Sequence, residues 1–279
     1  CLVGSEMCIR DTRYIKGIGN ILVDGVLLSS SMVGRINLDS EGATPVSLLN
    51  VPPPGLELPA GYDGIELWIN DVFEFVARGG EVSQVEMALS DQGLFVPSVI
   101  AVRQWGDFVG WEHQLVLDEA KRRFALGARL GASYVVATPP MEMKETNHLP
   151  ERYLQLIDIG REEGILPTFE YISFFKSVHT LKHAWEIVQS VDHSDASLIL
   201  DAFHNWNSGS SLNDLRDIPA SRISHYHIDD ASPLKKAGSQ TDPDRVMPGD
   251  GQIDLKGEIE VLREIGYDGS VSLLSLIHI

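Results

Sequence analysis

Three runs decide how this chain folds: LPTFEY at residues 166–171, SLILD at 197–201 and ISHYHIDD at 223–230. Each is a short stretch rich in apolar or β-branched residues, and each carries an ionisable side chain toward its end: Glu170, Asp201 and His227. Near-continuous apolar runs of this length are the mark of strands buried on both faces, as in parallel sheets covered by helices. The segments around them have helical spacing. Apolar residues recur at three and four positions through 181–191, through 113–130, which Gly131 closes, and through 258–265, which Gly266 closes.

Outward from this centre the alternation continues. Eight strand-like runs are expected, at 34–38, 64–68, 95–100, 134–138, 166–171, 197–201, 223–228 and 270–273. Eight strands with intervening helices predict an α/β fold of one domain, a single closed (β/α)8 barrel of the TIM type. No G-x-G-x-x-G follows the first strand, so an open dinucleotide-binding sheet has no support. Pro52, Pro53 and Pro54 make the first helical unit short and irregular. Both ends look foreign to the pattern. The expected organisation is a leader over 1–31, the barrel over 32–273, and a tail over 274–279 that cuts the barrel after its eighth strand. The two cysteines, Cys1 and Cys8, fall in the leader, which leaves the barrel without disulfide or thiolate chemistry.

A net charge of −18, spread along the chain, repels phosphate backbones and argues against nucleic acid as a partner. No run of about 18 uncharged apolar residues is present to span a bilayer. The expected setting is the cytoplasm, with a small-molecule substrate; the subunit count stays open, a homo-oligomer included.

In such a barrel the C-terminal ends of the strands converge on one mouth. Taken singly, a strand-end carboxylate often caps the next helix, and a lone histidine is often a satisfied core residue. Glu170, Asp201 and His227 on three consecutive strands instead suggest a shared site for one divalent metal ion, Mn, Mg, Co or Zn. Glu66, near the end of the second run, could bind substrate hydroxyls or orient a neighbouring ligand. Arg245 could hold substrate oxygens or pin its Gly/Pro-rich loop to Asp242 or Asp244. Trp68, Trp105, Phe174 and Trp206 follow strands and could wall a sugar-sized pocket or simply pack. His148, His179, His183 and His193 are expected to face solvent.

The segments FEY at 169–171, DAFH at 201–204, YHIDD at 226–230 and DRVMPGDGQIDL at 244–255 resemble the sugar phosphate isomerase/epimerase family with xylose-isomerase-like TIM barrels, and within it the inosose (2-keto-myo-inositol) isomerases. The separations agree with that family's ligand order: 201 − 170 = 31 and 227 − 201 = 26. The resemblance implies that Glu170, Asp201 and His227 ligate the metal and that His204 lies beside metal and substrate. The family's fourth ligand, a glutamate, has Leu274 in its place here. The implied reaction is isomerisation or epimerisation of a polyhydroxy ketone by proton transfer through a metal-stabilised enediolate, in carbohydrate or inositol catabolism. Glu170 would be the base on one face, and His204 would handle an oxygen-bound proton, with second-sphere support of Asp201 as its alternative role. A dehydratase of a 3-dehydroshikimate-like or inosose-like substrate differs only in its leaving group. Apurinic endonucleases share the barrel but need a basic groove that the net charge opposes, and a non-catalytic polyol-binding barrel is the remaining alternative.

Overall fold

The computed structural model describes residues 20–23 and 26–34, as backbone, and residues 63–274. Strands β1 (Asn20–Val23) and β2 (Val26–Gly34) form an antiparallel hairpin. Strands and helices then alternate: β3 (Gly64–Trp68), α1 (Ile69–Ala77), α2 (Val82–Gln92), β4 (Ser98–Val102), α3 (Gly110–Arg129), β5 (Tyr134–Ala137), α4 (Leu149–Glu163), β6 (Leu166–Phe169), α5 (Leu181–Ser190) and β7 (Leu198–Asp201). After these come α6 (Ala202–Asn207), α7 (Leu212–Arg216), β8 (Ile223–Ile228), the short pair β9 (Asp230–Ala231) and β10 (Arg245–Val246), α8 (Leu255–Glu264) and β11 (Ser270–Leu273).

The strands β3, β4, β5, β6, β7, β8 and β11 pair in that order, each parallel to the next. Seven parallel strands with alternating helices give the TIM-barrel architecture expected from the sequence.

The first expected strand is corrected. Of 34–38, Gly34 ends β2 and the others lie outside the described residues. The slot between the first and last parallel strands is taken instead by β2, antiparallel to both, with Val33 opposite Ser272 and Met32 opposite Ile65. A seven-stranded parallel sheet presents two rows of unpaired N–H and C=O groups, and a β-prone run such as VLLSSSMVG satisfies both at once. The leader boundary expected at residue 31 falls inside this strand. Residues 50–59 and 275–279 lie outside the described residues.

Period-two alternation explains the layering. Ile65, Leu67, Val135, Ala137, Leu198, Leu200, Tyr226, Ile228, Val271 and Leu273 point to the helices and join Phe124, Leu156, Ile187 and Leu262 in one buried apolar layer. Their neighbours point the other way, and Ile100, Val136 and Ile199 form a small separate cluster. On that inner face four strands carry polar residues instead: Glu66, Ser98, His225, His227 and Ser272, all buried. The barrel interior is therefore half greasy and half hydrogen-bonded.

Local signals position the loops at the mouth. Thr180 caps α5 by accepting the His183 N–H at 3.3 Å. Asp230 accepts backbone N–H groups from Ala231, Gly249, Gly251 and Ile253 at 2.8, 3.1, 3.0 and 2.9 Å. A Cβ on Gly251 would lie 2.2 Å from the Asp230 carboxylate, so only glycine allows this approach.

Candidate active site

Glu170 directly follows β6, Asp201 ends β7 and His227 lies in β8, paired with Asp201 in the sheet register. Strand order thus carries the three side chains to one end of the barrel. Glu170 and His227 border a cavity of about 430 Å³ whose lining also includes His204, Arg245, Trp68 and Phe174; Asp201 lies behind it, against Arg245.

Asp201 caps α6, accepting the His204 N–H at 2.9 Å, and meets Arg245 Nη1 at 3.2 and 3.0 Å. Burial alone would raise its pKa, but Arg245, His204 and His227 hold it well below the usual carboxylate range. The β9–β10 pairing, with Arg245 opposite Ala231, brings the guanidinium beneath the mouth. There it also contacts Asp229 and Asp242, meets His204 Nε2 at 3.1 Å and stacks 4.5 Å from the centre of the Phe203 ring. Of the two loop partners expected for Arg245, Asp242 is engaged, whereas Asp244 pairs with Lys235.

Arg245 can only donate to His204 Nε2, and at the other ring nitrogen, Nδ1, the Ser173 N–H donates at 3.4 Å with Ser173 Oγ at 3.1 Å. Burial, with Arg245 and His227 adding to it against the pull of Asp201, lowers the His204 pKa to about 3 and keeps the ring neutral. Glu170 is moved the opposite way. Burial, reinforced by Asp201 and Asp242, raises its pKa to about 7 against the opposing effects of His227 and the Thr138 hydroxyl, which donates to Oε2 at 2.9 Å.

His227 Nε2 lies 2.8 Å from Glu66 Oε2, and Nδ1 lies 3.6 Å from Asp201 Oδ2 with no hydrogen-bond partner. Burial disfavours its charge, but Glu66 and Asp201 outweigh that and raise its pKa to about 10. Leu274, at the position of the expected fourth ligand, lines the cavity and donates its N–H to the Ile228 carbonyl at 3.2 Å.

Residues 59–274 match the family described as xylose isomerase-like TIM barrel. The chain belongs to this family. Among curated relatives of this xylose isomerase-like barrel, the inosose isomerase of Bacillus subtilis is 33% identical over 170 residues, 58% of this chain and 60% of that protein. A 3-dehydroshikimate dehydratase of Pseudomonas putida is 27% identical over 237 residues, 82% of this chain and 36% of that protein. The matches thus span less than two thirds of the length of these relatives. A solved structure of the IolI protein with a zinc atom bound superposes with a TM-score of 0.69 at 27% identity, covering 77% of this chain and 81% of that one.

The residues present suit a divalent ion. Nδ1 of His227 is buried, has no hydrogen-bond partner and lies 3.6 Å from Asp201 Oδ2, and an ion binding there would displace the proton that the neighbouring carboxylates hold on the ring. The tightest grouping lies one layer deeper: Glu66, His225 and His227 each offer an atom within 4.8 Å of the others, a set that could hold a metal. Among the described residues it is the one group of three gathered so closely. Glu170, Asp201 and His227 stand further apart, with both Asp201 oxygens facing Arg245 Nη1.

Several expected placements are corrected. Glu66 does not line the cavity; it is fully buried, and its oxygens accept from Ser98, His225, His227 and Ser272. Trp105 is no pocket wall either. Its indole N–H must be paired when buried, and it donates to the Thr138 carbonyl at 2.8 Å while the ring packs on Tyr153 and Phe169. Trp206 is not part of the lining, whereas Trp68 and Phe174 are. His148 is half-buried and holds the Gly106 carbonyl at 2.8 Å, His183 contacts Thr146 and His193 contacts Arg161, so of the four histidines His179 alone is left exposed.

His225, Thr138 and Arg103 were not singled out from sequence. His225 had a signal: it lies two residues before His227, on the same face of one strand.

Proposed function

We propose that this barrel catalyses proton transfer beside the carbonyl of a small polyhydroxy ketone, an inosose or related keto sugar, as an isomerase or epimerase. The observation that carries the reading is one cavity lined by a carboxyl, Glu170, an imidazole, His204, and the rings of Trp68 and Phe174. A carboxyl and an imidazole in one cavity can between them move a carbon-bound and an oxygen-bound proton.

The roles follow from the contacts. Thr138 holds Glu170 Oε2, which leaves Oε1 without a hydrogen bond among the described residues and free to carry the proton from carbon. His204, a neutral imidazole in the cavity lining, is placed to handle a hydroxyl proton once Nε2 is released from Arg245. Arg245 itself is saturated by protein acceptors, so it shapes the site and holds Asp201 rather than offering its fork to substrate. Trp68 and Phe174 supply apolar walls for the ring faces of the substrate. Glu170, Asp201 and His227 would hold a divalent ion, with zinc supported by the IolI likeness. When bound, the ion supplies Lewis-acid polarisation of the carbonyl.

A dehydratase reading has its own support. Arg103 lines the cavity, is near enough to Asp242 to act on its charge and makes no hydrogen bond among the described residues, so its guanidinium can turn to a carboxylate such as that of 3-dehydroshikimate. Incubation of the zinc- or manganese-loaded protein with a 2-keto-inositol in D2O tests the first reading. Deuterium uptake at the carbon next to the carbonyl without loss of water is expected, with Glu170→Gln slower by about 10²–10⁴-fold. Loss of water from 3-dehydroshikimate, with no exchange into the inosose, would move the assignment to the dehydratase. Leu274→Glu should tighten metal binding in either case by adding a carboxylate at the cavity.

A further inference from the structure

Glu66 is a charged side chain with no access to solvent, surrounded by strands rather than by substrate space. Oε1 accepts from the Ser98 hydroxyl and lies 2.8 Å from His225 Nε2; Oε2 accepts from the Ser272 hydroxyl and lies 2.8 Å from His227 Nε2. The two imidazoles stand edge to face, 5.0 Å apart at 72°. A residue that merely filled the barrel here would be apolar, as Ile100, Val136 and Ile199 are on the same inner face. A carboxylate in this place is tolerable only because four donors converge on it. What they secure in return is the orientation of His227.

We propose that Glu66 is the positioning residue of the cation site. By accepting the Nε2 hydrogen of His227 it commits the unpartnered Nδ1, 3.6 Å from Asp201, to an ion held with Asp201 and Glu170. This rests on the metal reading of the mouth given above. His225 works through the same carboxylate: its hydrogen bond to Oε1 fixes the plane of Glu66, and its Nδ1 leads on to Ser224 at 3.3 Å, which meets Thr168 at 2.6 Å. The chain from Thr168 to His227 therefore ties β6, β8 and β3 into one frame around the ligand ring.

The chemistry makes a sharp demand on residue 66. An amide offers one acceptor oxygen where the carboxylate offers two, so in Glu66→Gln one imidazole loses its acceptor. If the amide nitrogen faces His227, Nε2 must accept, the ring hydrogen moves to Nδ1, and Nδ1 cannot bind an ion. Loss of such an orienting partner weakens metal affinity by about 10–100-fold.

Calorimetric titration with Zn²⁺ alone, on the full chain, tests this. Glu66→Gln is expected to bind at least tenfold more weakly than wild type, whereas Ser98→Ala and Ser272→Ala, which keep both imidazole contacts, should stay within about twofold. Equal affinity in Glu66→Gln and wild type overturns the role of Glu66 alone. No zinc uptake by wild type overturns the metal reading beneath it. Should Glu66→Gln not fold, wild type loaded with ¹¹³Cd and labelled with ¹⁵N-histidine still decides. Scalar coupling from cadmium to His227 Nδ1 is the expected result. Coupling to Nε2 would place the ion among Glu66, His225 and His227 and overturn the proposal.

Discussion

Two buried glutamates sit on opposite faces of β8 and have opposite fates. Glu66 meets His225 and His227 on the inner face; Glu258, on α8, meets Tyr226 on the outer face at 2.8 Å and Asn205 Nδ2 at 3.1 Å. Burial pushes both carboxyls toward the neutral form. For Glu66 the two imidazoles overcome it and hold the pKa well below the ordinary value. For Glu258 the phenol and amide donors do not, and the pKa rises to about 8. One strand reading His-Tyr-His therefore charges one neighbour and neutralises the other. Burial sets the cost of the charge, and the chemistry of the donor decides whether the charge survives.

The largest test of this contrast is Glu66→Ala, which leaves two buried imidazole N–H groups without their acceptor. Removing one partner of a buried ionic pair costs about 3–5 kcal/mol, readable by urea denaturation; a loss below about 1 kcal/mol would mean that charge pairing does not hold this layer.

Next comes Glu258→Gln. The folded-state pKa of Glu258, about 8, lies above the ordinary 4.5, so the folded protein binds this proton more tightly than the unfolded chain. The stability it contributes is complete below the ordinary value and is lost as pH rises toward 8. Wild type should therefore lose stability relative to the glutamine variant between those pH values, on the order of a few kcal/mol. A difference that stays constant with pH would break the contrast between the two glutamates.

Two hydroxyl deletions sharpen it further. Ser272→Ala removes a donor to the charged Glu66 and is expected to cost about 1.5–3 kcal/mol, while Tyr226→Phe removes a donor to the neutral Glu258 and is expected to cost about 0.5–1.5 kcal/mol. Matched denaturation curves at neutral pH give the comparison directly, and equal costs would mean that the acceptor's charge does not matter.

Much of the architecture could be read from the chain because parallel strands and their covering helices write themselves in local periodicity. The strand ends at Glu170 and Asp201 were legible for the same reason: once strands are assigned, the barrel decides where their C-terminal ends go. Partnerships across the barrel were not. Glu66 and His225 are 159 residues apart, and nothing local says that β3 and β8 present them to each other. Arg245 reads as a loop residue that either holds substrate oxygens or pins its own loop, and only the β9–β10 pairing shows it folded beneath the mouth against three carboxylates. The strand that closes the ring was misplaced because an antiparallel run and a parallel one have the same composition. Its direction is set by the two open edges it must satisfy.

The turn gathered by Asp230 has a dynamic corollary. With the amides of Gly249, Gly251 and Ile253 all donated to one buried carboxylate, the segment behind Arg245 cannot loosen one bond at a time. Those three amides should exchange with deuterated solvent slowly and together, at a rate set by a single concerted opening, while the neighbouring exposed Asp250 sheds its own amide protection sooner.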